Sequence, residues 1–161
     1  MSRAASVFNL STQESDMAIE WGVFPSHSDM SMFAHDNTTS PPTTVLDAGT
    51  PFYVHVHWDV PAAIASVIGG NFRIRAYAES VGPGPEQQIG TTHNEPAVPG
   101  KTSYDIHILV PAGSLLGEGQ LFGGVPVSGM YKFASVLQHL NPTANECSGY
   151  ADGPLVQLKT P

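Results

Sequence analysis

A chain of 161 residues is long enough for one domain with a substantial core and too short for two of ordinary size. Its fourteen acidic and six basic residues give a formal charge of -8. No cluster of Lys or Arg interrupts that balance, which excludes the basic stripe that a nucleic-acid backbone requires. The single cysteine, Cys147, excludes an intrachain disulfide, and no segment reaches the ~20 apolar residues of a membrane-spanning helix. No nucleic-acid partner and no membrane insertion are therefore expected. Without an apolar run in "MSRAASVFNLSTQ" to act as a secretory leader, the expected location is the cytoplasm.

The sequence starts with a polar stretch containing Val7, Phe8 and Leu10, too sparse in apolar groups to form an element of its own. Residues 1–17 read as an N-terminal arm that docks on a surface, and residues 18–161 as one domain. "AIEWGVF" at 18–24 is a weak strand candidate. The following "HSDMSMFAHD" reads as a long loop whose His27, Met30, Met32 and His35 form a soft-ligand set of the kind that suits copper(I), or a packing surface. "TTVLDA" at 43–48 is another weak strand.

In "FYVHVHWDV" the alternation is clean: Phe52, Val54, Val56, Trp58 and Val60 share one face, and Tyr53, His55, His57 and Asp59 the other. Such period-two patterning marks a half-buried strand. "PAAIASVIGG" at 61–70, opened by proline and closed by glycines, is the only helix candidate. "FRIRAYAE" places Phe72, Ile74, Ala76 and Ala78 inward, and "YDIHILV" does the same with Tyr104, Ile106, Ile108 and Val110. "EQQIG" at 86–90 and "PLVQLKT" at 154–160 are weaker strands. "GEGQLFGG" at 117–124 reads as a flexible glycine loop: it lacks the third glycine and the helix of a dinucleotide site. "MYKFASVLQHL" is apolar on both faces, Tyr131, Phe133 and Leu137 against Met130, Val136 and Leu140, which suits a central strand covered on both sides or touching a partner.

About eight short strands with little helix predict an all-β fold: a two-sheet antiparallel sandwich with an N-terminal arm and at most one short helix. "SGMYKFASVLQHL", with Gly129, Tyr131 and Phe133 in spacing, resembles the sixth strand of immunoglobulin-like and fibronectin type III-like sandwiches. The resemblance implies that the Tyr131 hydroxyl bonds back to backbone at a corner between strands. Val127 stands where that family often has aspartate, and Trp58 lies one strand earlier than the family's core tryptophan.

His55 and His57 leave one strand face about 6.6 Å apart at the backbone, close enough to approach one zinc or iron. Gly49, His55 and His57 also match the Gly-x5-His-x-His opening of cupin barrels, and the resemblance implies a metal-dependent enzyme. The match then fails: Asp59 stands in place of the glutamate, and Pro111-x-Gly113 is followed by Leu116 where the third histidine belongs. A third ligand from His107 or His139 is needed to complete such a site, and the pair is read as exposed strand histidines. No Gly-x-Ser-x-Gly elbow is present, and Cys147 in "NECSGY" has no cationic neighbour to activate it. The reading is a non-catalytic protein without cofactor or resident metal, a subunit or accessory component that meets a protein partner or self-associates. The alternatives are a cupin-like enzyme using His55 and His57, and a carbohydrate-binding module with Tyr53, Tyr77 and Trp21 as exposed stacking groups.

Overall fold

In a computed structural model, which describes residues 17–21, 27–141 and 144–161, the regular secondary structure is almost wholly strand. In chain order these are β1 (Met17–Glu20), β2 (His27–His35), β3 (Val45–Asp47), β4 (Phe52–Asp59), β5 (Asn71–Ser80), β6 (Glu86–Pro96), β7 (Ser103–Val110), β8 (Leu121–Phe122), β9 (Val125–Pro126), β10 (Met130–Asn141) and β11 (Ala144–Lys159). A single helical turn, α1 (Ala62–Ala65), follows Pro61 between β4 and β5 and buries Ile64 and Ala65. No helix among the described residues is long and apolar enough to cross a membrane. The expected arm falls almost entirely on residues outside those described.

Nine strands form one sheet in the order β6-β5-β10-β11-β1-β2-β4-β7, with β3 paired in parallel to the end of β11. The other pairings of this sheet are antiparallel. The sheet curls so that strands far apart along it meet face to face. Trp58 of β4 stacks on Tyr104 of β7 at 5.0 Å between ring centres and meets Phe72 of β5 edge-on at 5.3 Å. Phe52 of β4 stacks on Phe133 of β10 at 6.0 Å. Each alternating strand sends its apolar set into this interior: Val54, Val56 and Trp58 from β4, Phe72, Ile74 and Ala76 from β5, and Ile106, Ile108 and Val110 from β7 are all buried.

Two expectations are corrected. The stretch expected as a loop at "HSDMSMFAHD" is β2, a full strand paired to β4 with Met30 opposite Trp58 and Met32 opposite Val56. Met30, Met32 and Ala34 are its buried face, and the sulfurs serve core packing. The glycine stretch expected as a loop at 117–124 carries the first strand of a short hairpin, β8–β9. Gly123 and Gly124 form its two-residue turn at φ 59° and 84°, the left-handed pair that matches strand twist in a tight hairpin.

On β10, Tyr131, Phe133, Ser135, Leu137 and His139 are buried, while Met130, Val136 and Leu140 on the other face are only half covered. The strand is central, between β5 and β11, but packed fully on one side. The Tyr131 hydroxyl donates to the Leu116 carbonyl at 3.0 Å, so the corner bond implied by the Gly-x-Tyr spacing is present. Gly129, at φ 70°, is required there: a Cβ would stand 2.5 Å from the Leu158 carbonyl oxygen. Removing only the hydroxyl, by Tyr131→Phe, is expected to cost on the order of 1 kcal/mol, as for one buried hydrogen bond that leaves its acceptor unpaired. Denaturant unfolding of the two proteins checks this, and an unchanged midpoint would dismiss the bond as a stabilising contact.

Candidate functional site: a histidine face on three adjacent strands

The outward faces of β2, β4 and β7 carry most of the chain's unusual chemistry, and strand pairing decides who meets whom. His55 lies directly opposite His107, and His57 opposite Asp105. On the other flank Phe33 lies opposite His55 and His35 opposite Tyr53, which sets His35 diagonal to His55. The rings of His55 and His107 are stacked 4.7 Å apart and within 11° of parallel. His35 stands 5.6 Å from His55 and 6.1 Å from His107. Phe33 and Tyr53 flank this group at 6.3 Å from His55 and 6.4 Å from His107.

Hydrogen bonding assigns the ring nitrogens. His55 donates from Nε2 to Asp105 Oδ1 at 2.8 Å, and His57 donates from Nδ1 to the same oxygen at 3.1 Å. The other nitrogen of His57, Nε2, faces Asp59 Oδ1 at 3.4 Å. Both His57 nitrogens are thus turned to carboxylates. The pair does lie on one face, as the alternation requires, but it meets at Asp105 and at no common metal position. Among the described residues no three His, Cys, Asp or Glu side chains are arranged to hold a metal ion.

His35 is buried although it lies on the outward face. The turn after β2 folds back over it, and Nδ1 donates to the Ser40 carbonyl at 2.7 Å. Its Nε2 is buried with no hydrogen-bond partner. Burial pushes the His107 imidazole below its ordinary range, helped by the like charge of His55 and His35 and opposed by Asp105. For Asp105 burial is the largest influence and acts upward, but the hydrogen bonds and charges of His55 and His57 together hold its carboxyl below the usual range.

The remaining candidates are dispersed. Met30 and Met32 point into the core and His35 out of it, so the proposed copper set cannot converge; the His27 side chain lies outside the described residues. His139 is buried on β10, where its Nε2 donates to the Gly69 carbonyl at 2.6 Å, away from the histidine face. Trp21 is buried against Phe72 and His139, which corrects its assignment as an exposed stacking group; Tyr53 and Tyr77 remain half exposed. Cys147 is buried. A groove of about 440 Å³ on the outer face of β5, β6, β10 and β11 is lined by Tyr77, Tyr150, Gln88, Glu86, Lys132 and Ala134, and Tyr150 donates to Asp152 at 2.8 Å. Sequence reading overlooked Tyr150 because it sits in the glycine-rich "SGYADG", which reads as a turn.

No family model matches the chain, and no curated protein matches it. Among solved structures it is similar to the β-glucosidase from Listeria innocua. In the complex with glucose the TM-score is 0.40 at 10% identity, over 84% of this chain and 17% of that one. In the complex with gluconolactone it is 0.43 at 11%, over 84% and 17%. The chain therefore corresponds to a small part of those enzymes, at a likeness too remote to carry an argument about fold or activity.

The histidine face makes its own titration behaviour testable. Folding lowers the proton affinity of His107, so its contribution costs stability below the folded midpoint and the cost is relieved as pH rises to the unfolded value of about 6.5. In an NMR pH titration His107 is expected to deprotonate below that value, and H55Q to move the midpoint upward by removing a like charge. A wild-type midpoint at or above about 6.5 contradicts the arrangement.

Proposed function

We propose that the chain is a non-catalytic β-sandwich module of immunoglobulin-like kind, its two layers being the arms of the curled sheet, and that its work is protein association. The observation that carries this reading is the β8–β9 hairpin. It is hydrogen-bonded apart from the nine-stranded sheet, and it holds Leu121 64% exposed, Phe122 46% and Val125 48%. Large apolar groups held out on a two-stranded ribbon favour a surface that is covered when the protein works. Val81, also half exposed, accepts a hydrogen bond from Ser128 just beyond the hairpin and extends the apolar set at the same end. The sparse charge, 12% of residues, agrees with surface that meets protein, since charged groups are depleted at the centre of interfaces.

The occupant we assign to this end is a second copy of the chain. Covering each half-exposed side chain is worth on the order of 1 kcal/mol, so losing Leu121 and Phe122 together weakens association by about tenfold or more. Sedimentation velocity over a range of concentrations tests it. Wild type is expected to associate as concentration rises, and L121S/F122S to remain monomeric with the same circular dichroism. A wild type monomeric throughout, or a variant that associates equally well, overturns the reading.

A second reading, carbohydrate binding, is favoured by the groove between Tyr77 and Tyr150. Aromatic faces beside amide and carboxylate groups offer both a stacking surface and hydrogen-bonding partners for sugar hydroxyls. The cupin-like alternative gains no such support, since His57 turns to Asp105 and Asp59 and no three His, Cys, Asp or Glu side chains among the described residues are arranged to hold a metal ion.

A further inference from the structure

We propose that the chain associates head to tail, the β8–β9 hairpin of one copy seating on the opposite pole of the next, where α1 lies beside the loop between β6 and β7. The inference rests on the association reading above and names the surface that receives the hairpin. The two poles lie at opposite ends of β5. At its start the Ala97 amide donates to the Gly70 carbonyl at 3.0 Å and the Gly100 amide to the Ala65 carbonyl of α1 at 2.6 Å, which gathers α1 and residues 97–100 at one end. At its finish the Val81 amide donates to the Met130 carbonyl at 2.8 Å, and Val81 accepts from the Ser128 hydroxyl at 2.7 Å, which places the base of the hairpin at the other. The ten residues of β5 hold these ends about 33 Å apart.

The first support is where charge is missing. Segments that join strands ordinarily carry polar and charged groups. Here "PAAIASVIGGNF" at 61–72 and "PAVPG" at 96–100 on one pole, and "SVGPGP" at 80–85 and "GQLFGGVPVSGMY" at 119–131 on the other, contain no Asp, Glu, Lys, Arg or His. The receiving pole is apolar as well as uncharged. Val67 is 76% exposed there and Val98 46%, and Ala62, Ala63 and Pro99 are exposed around them. Neither pole leaves an unpaired ion when the other covers it, and such a charge would be costly to bury.

The second support is area. The sheet runs through eight paired strands from β6 to β7 and curls on itself. At about 4.8 Å per strand its perimeter is about 38 Å, and with the outward side chains an end of the fold presents roughly 450 Å². Two facing ends therefore bury about 900 Å² in total, the size of a weak, concentration-dependent contact. A two-fold contact between hairpins would leave the α1 pole bare. Hairpin on α1 pole covers both, and because the two surfaces differ the contact repeats from copy to copy.

Mixing two variants in sedimentation velocity tests the proposal. L121S/F122S loses the hairpin surface and keeps the receiving pole, while V67D/V98D loses the receiving pole and keeps the hairpin. All four side chains are exposed, so both variants are expected to keep the circular dichroism of wild type. The mean mass of wild type should rise with concentration past that of a dimer, and each variant alone should stay monomeric. Mixed in equal amounts, the two variants should form a one-to-one dimer and grow no further, because one intact contact is left between them. If V67D/V98D alone associates as wild type does, the hairpin meets a different surface: the inference falls and the association reading stands. A mixture that stays monomeric also overturns the inference, and a wild type monomeric throughout overturns both.

Discussion

The contact on which the rest of the structure depends is the triangle of Trp58, Tyr104 and Phe72. Trp58 lies flat on Tyr104, 5.0 Å apart and within 5° of parallel, and both present to Phe72 at 5.3 and 5.0 Å. Two of these rings come from one arm of the curled sheet and the third from the other, so the triangle closes the interior. It also locks the register of β4. Side chains alternate with a period of two, so a slip of one residue would drive His55 and His57 into the core and expose Trp58 and Val56. Core and histidine face are two sides of one pairing.

That coupling explains why the candidate site is assembled from strands distant in sequence. β4 is flanked by β2 and β7, and the chain between β4 and β7 passes through α1, β5 and β6 on the other arm before returning. His107 and Asp105 therefore arrive beside His55 and His57 only because β7 packs antiparallel to β4 in the register set by Trp58 opposite Tyr104. The corner at Tyr131 has the same logic at the other end: its bond to Leu116 holds the loop that leads into the β8–β9 hairpin, so the apolar tip is presented from a fixed base.

Much of the fold was legible in the sequence and the site only in part. The alternation in β4, β5 and β7 announced strands and the inward set, and Gly129 with Tyr131 announced a corner. β2 was missed because Met30, Met32 and His35 looked like ligands. Yet Met30, Met32 and Ala34 alternate with Ser31, Phe33 and His35 as a half-buried strand should. The first half of β11, which contains Gly149 and Gly153, was not read as a strand. Here they make room: a Cβ at Gly149 would lie 2.7 Å from Ile19, and one at Gly153 2.7 Å from Met32. His55 and His57 could be placed on one face from spacing alone. That His55 stacks on His107, that His35 completes the group, and that His57 is drawn away by two carboxylates all follow from non-consecutive pairing, which local periodicity does not encode.

The central claim is that β4 divides its labour, with the inward side chains holding the fold and the outward histidines, paired to carboxylates on the surface, adding little to it. Equilibrium denaturation of the chain carrying H55Q, H57Q and H107Q together, beside W58A, tests it most directly. The account predicts a loss of about 3 to 5 kcal/mol for the tryptophan, as for a large core truncation, and a midpoint for the triple variant shifted by no more than surface changes usually cause, about 0.5 kcal/mol each. A triple variant as damaged as W58A would contradict it, and would make the histidine face part of the framework.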